Sequence, residues 1–440
     1  MKGKVVKTDI STEPYKGVRD FYPEDMAIQN YIFSVWKKTS KSFGYSEYGA
    51  SVLEPTELYQ AKSGEEIVSE QTYTFTDKGD RQVSLRPEMT PTVARMIAGR
   101  LKSFSFPLRW FSIPNLFRYE KPQRGRTREH WQLNVDIFGV KGLDAEVEVI
   151  SMAAKVMENF GFKESDYEIR INSRRIINYI LKDLYKLSDD KAKKMARLID
   201  KKAKMSPDEF KKGVNEILQK GTHQEFIEIL NSKNFEELFR RLPVGAIASE
   251  GIVEVRDLLE QLEDLGITNA VFAQDLMRGF DYYTGIVFEI FDKSPKNNRA
   301  VFGGGRYDEL LSIFGKEVVP AVGFGMGDVV IRDMLETYNL LPKIASVSKL
   351  HLCVMDENLI AYAQDLAQKT RDSGINTTVD YSGKKIGDQI KYADKNGIPF
   401  IICIGDLEKK TGKLKIKELS TGREVETTED KIADVVKLTK

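Results

Sequence analysis

The chain has 440 residues, enough for about two or three domains that each bury a core. Hydrophobic residues make up 41% of the sequence and charged residues 30%, the balance of a soluble globular protein. The formal net charge is only +1, so any binding to nucleic acid must use local basic patches, because the molecule as a whole supplies little long-range attraction.

Cysteine, histidine and hydropathy exclude several classes of protein. Cys353 and Cys403 lie in apolar, strand-like runs and are predicted to be buried thiols rather than zinc ligands or a disulfide framework. His130, His223 and His351 are widely spaced, which argues against a histidine metal centre. Neither a membrane-spanning run nor a signal peptide is found, so we expect a soluble, cytoplasmic protein with no membrane contact.

A basic loop lies between two strand-like runs, residues 108–117 and 131–138. The loop region carries five cationic side chains, Arg118, Lys121, Arg124, Arg126 and Arg128. Two strands joined by such a loop form a rigid fork whose guanidinium groups can point at phosphates. The alternative is a solvated surface hairpin that happens to be basic, as most charge runs are.

The second strand of this hairpin favours the functional interpretation. Side chains alternate in a strand, which places Gln132, Asn134 and Asp136 on one face. The opposite face is apolar, with Leu133, Val135 and Ile137. A polar face beside a basic loop is typical of a lined pocket rather than of an ordinary sheet surface.

The region before the basic loop predicts a helix, a strand and a hairpin. Residues 24–43 have an amphipathic helical pattern, which fits either a subunit interface or packing on the chain's own core. A strand at 50–53 is expected to stop at Pro55, and strands 71–76 and 82–85 flank the turn DKGD. Glu88 and Thr90 follow at a strand–helix junction, where both can face a cleft, although Thr90 could instead cap the helix.

Composition changes between residues 173 and 265, where charged helical segments follow one another with little strand signal. We interpret this region as a helical insertion that is either a spacer or a contact for a large substrate. Strand character returns at 270–274. Glycine-rich turns are expected at Gly303 and Gly325, each beside a strand, where backbone can approach a flat or phosphorylated ligand.

A compact region is predicted beyond a linker at residues 342–348. Its strands and helices alternate, which indicates a small mixed sheet covered by helices. Five lysines gather near its last predicted hairpin, Lys409, Lys410, Lys413, Lys415 and Lys417. They either contact a polyanion or are simply solvated, and solvation is the preferred interpretation.

Four motifs occur in order along the chain: LRPEMT, FRYEKPQRGRTREHWQLNVDIFG, RGFDYYTG and GGGRYDEL. Together they resemble the histidyl-tRNA synthetases, a family of class II aminoacyl-tRNA synthetases, and the resemblance covers nearly the whole chain. It implies an α+β fold with a class II antiparallel sheet and flanking helices in residues 1–172 and 266–341. It also implies a helical insertion at 173–265, a C-terminal α/β anticodon-binding domain at 342–440, and a homodimer.

The implied reaction has two steps. L-Histidine attacks the α-phosphate of ATP to give histidyl-adenylate and pyrophosphate, and histidine then passes to the 3′ end of tRNA(His). The resemblance makes Mg²⁺ a companion of ATP, bridging its outer phosphates, and no metal site formed by the protein alone is expected.

The resemblance also assigns roles to individual residues. Arg118 and Arg278 would be catalytic, gripping the α-phosphate from opposite sides. The histidine-binding residues would be Glu88, Thr90 and Gln132 around the ammonium group, and Asp136 and Tyr283 on the imidazole nitrogens with Tyr282 alongside. ATP would also contact Glu120, Arg126 and Arg306, and the acceptor end of the tRNA would contact Gln123 and Arg124.

Two departures from the family pattern stand out. Relatives usually carry Glu where this chain has Asp136, whose side chain is shorter by one C–C bond. The third class II signature commonly ends in Gly-x-Glu-Arg, but the corresponding stretch here runs from Gly327 to Val330, without the arginine that meets adenine and the γ-phosphate. Arg332 and Arg306 are the candidates for that missing charge.

A rival interpretation is a binding subunit. Proteins similar to histidyl-tRNA synthetase serve as regulatory subunits of ATP phosphoribosyltransferase, where histidine is sensed and no aminoacylation occurs. Such proteins usually lack the C-terminal domain and part of the RGxDYYTG segment. This chain retains both, which favours the enzyme.

Overall fold

The computed structural model describes residues 11–60, 71–202, 205–218, 221–232, 234–243, 249–276, 282–297 and 299–438. The chain divides into two compact units, Met1–Pro342 and Lys343–Lys440. Within the described residues, no helix is both long and apolar enough to cross a membrane.

One large sheet organises the first unit. The strands of this unit are β1 (Ser46–Glu47), β2 (Leu53–Pro55), β3 (Thr74–Thr76), β4 (Gln82–Leu85), β5 (Leu108–Ser112), β6 (Asn115–Phe117), β7 (Glu129–Phe138), β8 (Tyr167–Ser173), β9 (Ala270–Phe272), β10 (Ile286–Asp292), β11 (Ala300–Arg306) and β12 (Ala321–Gly327). Among the described residues the sheet has the order β1-β5-β7-β12-β11-β10-β8-β9, with β6 paired to β7 and a separate sheet β2-β4-β3. The central strands are antiparallel, and the outer pairs β1–β5 and β8–β9 are parallel.

The glycine-rich segments differ from their prediction. They are not turns, because Gly303, Gly304 and Gly305 lie inside β11, and Gly323 and Gly325 lie inside the neighbouring β12. A Cβ atom on Gly304 would meet the backbone of β12. Glycine therefore serves here to let neighbouring groups come close to the strand rather than to turn the chain.

Two strand boundaries were also wrong. The run 108–117 is two strands, since Pro114, which has no N–H for a ladder, lies between β5 and β6. The strand predicted at 50–53 begins only at Leu53, and it does end at Pro55, the last residue of β2, which is paired with Val83. The hairpin around DKGD is confirmed, with β3 antiparallel to β4.

Helices cover both faces of the large sheet. They are α1 (Pro23–Ser42), α2 (Glu57–Gln60), α3 (Thr90–Gly99), α4 (Asp144–Asn159), α5 (Arg174–Asn178), α6 (Asp189–Lys201), α7 (Pro207–Ile217), α8 (His223–Leu230), α9 (Phe235–Arg241), α10 (Glu250–Asp264) and α11 (Asp328–Thr337). Ile32 and Trp36 of α1 are fully buried in the same apolar cluster as Leu133 and Val135 of β7. The stripe of α1 thus packs on the chain's own core.

The opposite face of β7 carries the polar residues. Beside them, Val93 and Ile97 of α3 pack against Phe138 and Tyr307 in a second apolar cluster. Residue 89 occupies the cap position of α3 and no side chain caps it, so Thr90 is the first helical residue and not a cap.

The second unit is a mixed sheet with helices, as predicted, and it has five strands. Its elements are β13 (Leu350–Val354), α12 (Ile360–Asp372), β14 (Thr377–Val379), α13 (Ile386–Lys395), β15 (Phe400–Ile404), α14 (Asp406–Thr411), β16 (Lys413–Glu418), β17 (Glu424–Thr428) and α15 (Ile432–Leu438). The described strands have the order β14-β13-β15-β16-β17. Cys353 and Cys403 are paired positions on β13 and β15, and both are free thiols.

The sequence did not predict β17. This strand supplies acidic partners for two of the clustered lysines. Lys415 lies 3.9 Å from Glu426, and Lys417 lies 3.3 Å from Glu424, both pairs crossing from β16 to β17. Opposite charges facing one another on a solvated hairpin weaken its attraction for a polyanion. The solvated interpretation fits these two lysines.

Candidate active site

A cleft of about 320 Å³ opens over the polar face of β7, between the basic loop and strands β11 and β12. It is lined by residues that lie far apart in the sequence. The predicted site residues that line it are Glu88, Thr90, Arg118, Glu120, Arg126, Gln132, Asp136, Tyr282 and Tyr283. The alternation predicted for β7 is confirmed, since Gln132, Asn134 and Asp136 face this cleft while the intervening residues are buried in the core.

Glycines of β12 make room for the polar side chains of β7. Gly323 is the cross-strand neighbour of Asp136, and Gly325 that of Asn134. A Cβ on Gly323 would lie 3.1 Å from Asp136 Cγ and closer still to Oδ1, and a Cβ on Gly325 would lie 2.8 Å from Gln132 Cδ and closer to Nε2. The polar side chains therefore lie across the glycines of β12, which form the floor of the cleft.

One end of the cleft holds a carboxylate among phenols. Asp136 is buried and accepts a hydrogen bond from the Tyr307 hydroxyl. Burial raises the pKa of Asp136 to about 7, because a charged carboxylate loses its hydration, while the Tyr307 hydrogen bond lowers it. Tyr282 and Tyr283 lie alongside, with ring centroids 4.9 Å apart. This end offers an acceptor to an N–H group and aromatic surfaces to a flat ring.

A second carboxylate lies on the wall formed by the strand–helix junction. Glu88 is almost fully buried and accepts a hydrogen bond of 3.2 Å from Tyr282 Oη. Gln132 Nε2 donates to Asn134 Oδ1 at 2.8 Å, so the Gln132 carbonyl oxygen is the atom of this side chain that can accept hydrogen bonds. Acceptors of this kind suit an ammonium group.

The other end of the cleft is cationic. Arg118 Nε donates to the carbonyl of Pro87 at 2.8 Å, which holds this side chain beside the junction that carries Glu88. Glu120 lies 4.0 Å from Arg118 Nη1 and 3.6 Å from Arg126 Nη1. Both separations exceed hydrogen-bond length, so the carboxylate attracts the two guanidinium groups without saturating their donors.

The basic loop is itself held by a tight turn. Gln123 and Arg126 exchange two backbone hydrogen bonds, of 3.1 and 2.8 Å, across Gly125, which has a φ of +76°. Arg128 does not face the cleft: its guanidinium stacks on Tyr119 at 4.0 Å and donates to the Tyr15 hydroxyl at 2.9 Å.

Three of the remaining predicted arginines do not line the cleft. Arg306 is corrected as an ATP ligand, because it is buried and both Nε and Nη2 donate to Glu146 at 2.5 Å. Arg332 ion-pairs with Asp25 and Glu336, at 2.8 and 3.0 Å. Arg124 is exposed and donates to Asp333.

Two further predicted site residues are Gln123 and Arg278. Gln123 is exposed on the loop, outside the lining of the cleft. Arg278 lies outside the described residues, so its predicted approach to the α-phosphate stays a prediction.

Sequence reasoning missed His130 and Tyr307, which both line the cleft. Burial, and after it the nearby guanidinium groups of Arg118 and Arg19, lower the pKa of His130 to about 3, so this imidazole is neutral at physiological pH. The sequence did indicate His130, because it lies two residues before Gln132 and therefore faces the same side of β7. No local pattern indicated Tyr307, because it comes close to Asp136 only in the folded chain.

A mostly antiparallel sheet with a carboxylate-lined pocket and an arginine-lined pocket in one cleft is the arrangement of a class II aminoacyl-tRNA synthetase. Comparison with known proteins agrees. A sequence model described as Histidyl-tRNA synthetase matches residues 17–327, and one described as Anticodon binding domain matches residues 344–439.

Individual relatives extend the match over nearly the full length. The chain is 41% identical over 414 residues to a histidine–tRNA ligase of Leptospira biflexa, with 94% of each protein covered. It is 38% identical over 418 residues to a chloroplastic/mitochondrial histidine–tRNA ligase of Arabidopsis thaliana, covering 94% of this chain and 85% of that protein. Its fold is similar to a crystal structure of histidyl-tRNA synthetase from a Nostoc species, with a TM-score of 0.81, 21% identity and coverage of 98% and 99%. The chain belongs to the histidyl-tRNA synthetase family.

Proposed function

We propose that this protein is a histidine–tRNA ligase that activates L-histidine with ATP and transfers it to the 3′ end of tRNA(His). The observation that carries the proposal is the single cleft in which a buried aspartate among tyrosines lies at one end and Arg118 and Arg126 lie at the other. A site for an imidazole-bearing amino acid and a site for a polyphosphate are thereby brought within reach of one another. Membership of the family supplies the same reaction independently.

In the first step, a carboxylate oxygen of histidine attacks the α-phosphorus of ATP and the bond to pyrophosphate breaks. Such in-line displacement requires positioning and cancellation of charge, with little covalent help from the protein. Arg118 is held by the Pro87 carbonyl beside the amino-acid end, so its free donors can bind the α-phosphate. Arg278 is proposed to approach the same phosphate, and Arg126 the outer phosphates.

Histidine is proposed to be oriented by its two nitrogen-bearing groups. Glu88, Thr90 and Gln132 would accept from the ammonium, and Asp136 would accept from an imidazole N–H. The Tyr307 hydroxyl already donates to Asp136, so the carboxylate is fixed in place before the substrate arrives. An amino acid without a ring N–H would leave this buried carboxylate without the second hydrogen bond that it can accept, which is a strong source of rejection.

Mg²⁺ is proposed to accompany ATP. Magnesium is commonly held by one or two carboxylates together with substrate phosphates, and Glu120 is a carboxylate placed between the two cleft arginines. Within the described residues, no group of three or more potential ligands forms a metal site of its own. When bound, the ion would neutralise charge on the outer phosphates.

In the second step, the tRNA must reach both units. The exposed side chains of Gln123 and Arg124 are proposed to contact the acceptor end of tRNA(His), and residues 344–439 its anticodon. A homodimer and a cytoplasmic location are part of the proposal and rest on family membership.

Histidine-dependent exchange of labelled pyrophosphate into ATP tests the first step, and charging of tRNA(His) tests the second. We expect pyrophosphate exchange only when L-histidine is present, and charging of tRNA(His) only when both L-histidine and ATP are present. A protein that binds histidine but catalyses neither reaction would instead be a histidine-sensing subunit of the ATP phosphoribosyltransferase type. Exchange without any amino acid would contradict the proposal as well.

A further inference from the structure

The cationic end of the cleft lacks charge on its α11 side. Among the described residues that line this end, Arg118 and Arg126 share the carboxylate of Glu120, and the wall from α11 is formed by Val329 and Val330. A triphosphate chain carries more negative charge than two arginines sharing a carboxylate can balance. Arg306 and Arg332, the candidates from the sequence, are committed to other carboxylates.

Arg299 does not itself line the cleft, but its guanidinium lies against a loop residue that does. It precedes Ala300, which lines the cleft, and a Cβ added to Gly125 would lie 2.7 Å from Arg299 Cζ. Gly125 and the adjacent Arg126 are themselves lining residues. The Arg299 guanidinium therefore packs against the turn that carries Arg126.

A carboxylate from α11 holds this guanidinium at the rim. Asp333 follows Val329 and Val330 by four and three residues, so it lies on the same helical face one turn further along. Its Oδ1 accepts a hydrogen bond of 2.9 Å from Arg124 Nε, and its Oδ2 forms an ion pair with Arg299 Nη2. Arg299 Nη1 also donates to the Arg124 carbonyl at 3.0 Å.

The cluster of Arg124, Arg299 and Asp333 retains capacity for an anion. Two guanidinium groups share a single carboxylate, so the cluster has a net positive charge. Arg299 Nε is buried and has no hydrogen-bond partner among the described residues. A buried donor without a partner is costly, and an arriving phosphate oxygen would satisfy it.

We propose that Arg299 is a nucleotide-binding residue whose guanidinium contacts the outer phosphates of ATP opposite Val330. The inference rests on the proposed function, since it concerns the ATP of that reaction. The competing explanation is that Arg299 only fastens the basic loop to α11 through Asp333. The two explanations predict different effects on ATP binding when Asp333 is replaced.

The experiment compares Arg299→Ala, Arg299→Lys and Asp333→Asn in the full-length protein. The measured quantities are the KM for ATP and the KM for histidine in pyrophosphate exchange, and the inhibition constant of AMP, which lacks the outer phosphates. We expect Arg299→Ala to raise the KM for ATP about tenfold to hundredfold, the effect of losing a charged hydrogen bond. The KM for histidine and the AMP constant should stay close to wild type.

Arg299→Lys should fall between wild type and Arg299→Ala, because it keeps the charge and loses the planar fork. Asp333→Asn should leave the KM for ATP nearly unchanged or lower it, since it removes a competing carboxylate and keeps the guanidinium. Arg256→Ala is the matched control, as Arg256 pairs only with exposed acidic residues of α10 in the described structure.

Two results would overturn the inference while the proposed function stands. One is a wild-type KM for ATP in Arg299→Ala. The other is an equal loss in Arg299→Ala and Asp333→Asn that extends to histidine and AMP, which is the pattern of a loop fastening. If wild-type protein shows no exchange at all, the proposed function fails and this inference fails with it.

Discussion

Replacing Gly325 with alanine should damage histidine binding and leave the fold intact. The added Cβ would lie 2.8 Å from Gln132 Cδ and 3.5 Å from Cγ, and the three nearest atoms are all in this one flexible side chain. The side chain of Gln132 must turn away and its 2.8 Å hydrogen bond to Asn134 is lost. Gly323→Ala is a harsher change, because the backbone carbonyl of Val135 also lies within clashing distance there.

The magnitude follows from the contact that is removed. A hydrogen bond to a charged group contributes about 1.5–3 kcal/mol, which corresponds to roughly a 10- to 150-fold rise in the KM for histidine. The KM for ATP should change little, because Gln132 lies at the amino-acid end. The assay is pyrophosphate exchange at saturating ATP, with a thermal melt to confirm folding.

A matched control and a double variant make this test decisive. Gly387→Ala introduces the same methyl group on α13, where nothing lies within 4 Å, and should leave the KM for histidine unchanged. Gly325→Ala combined with Gln132→Ala should be no worse than Gln132→Ala alone, since both act on one side chain. Additive losses, or a wild-type KM in Gly325→Ala, would refute the reasoning.

Three further predictions concern the buried charges. The folded pKa of Asp136, about 7, lies above that of an unfolded aspartate, so stability present at acid pH is lost as the pH rises through 7. Asp136→Asn should therefore have a higher melting temperature than wild type at alkaline pH, and this difference should shrink as the pH falls towards the pKa of an unfolded carboxyl. Histidine activation should fall in the variant. A difference in melting temperature that does not change with pH would contradict the assignment. Tyr307→Phe removes the hydrogen bond that lowers the Asp136 pKa, so the ascending limb of kcat/KM for histidine should move to higher pH, and an unmoved limb would exclude this coupling. Arg306→Ala strands the buried Glu146 and should lower the free energy of unfolding by about 3–5 kcal/mol in urea titrations; a wild-type unfolding energy would rule out the structural role.

Much of the amino-acid side of the cleft could be predicted from local pattern. The alternation along β7 placed Gln132, Asn134 and Asp136 on one face, and the structure shows them there. The same parity extends to His130, which sequence reasoning overlooked. The glycine runs were recognised as important but wrongly placed in turns, because a glycine that clears space for a facing side chain has the same local signal as one that bends the chain.

The residues at the cationic end of the cleft were harder to predict from the sequence than those on the amino-acid side. Arg306 is a candidate from the sequence for the arginine missing from the third class II signature, but β11 ends with its side chain directed to Glu146 in the core. The cluster of Arg124, Arg299 and Asp333 has no local signal, since Arg124 and Asp333 are separated by 209 positions. Only the pairing of strands and the packing of α11 bring these charges together.

The sequence by itself determined the family, most of the order of elements and the face of β7 that carries the polar residues. These properties depend on motifs and on the fixed two-residue period of a strand. The tertiary structure decided which charges share a carboxylate and which stay available for a ligand. It joined Tyr307 to Asp136 across 171 positions and enclosed Arg306 with Glu146. Such pairings depend on distances between elements remote along the chain, and no local pattern of residues encodes those distances.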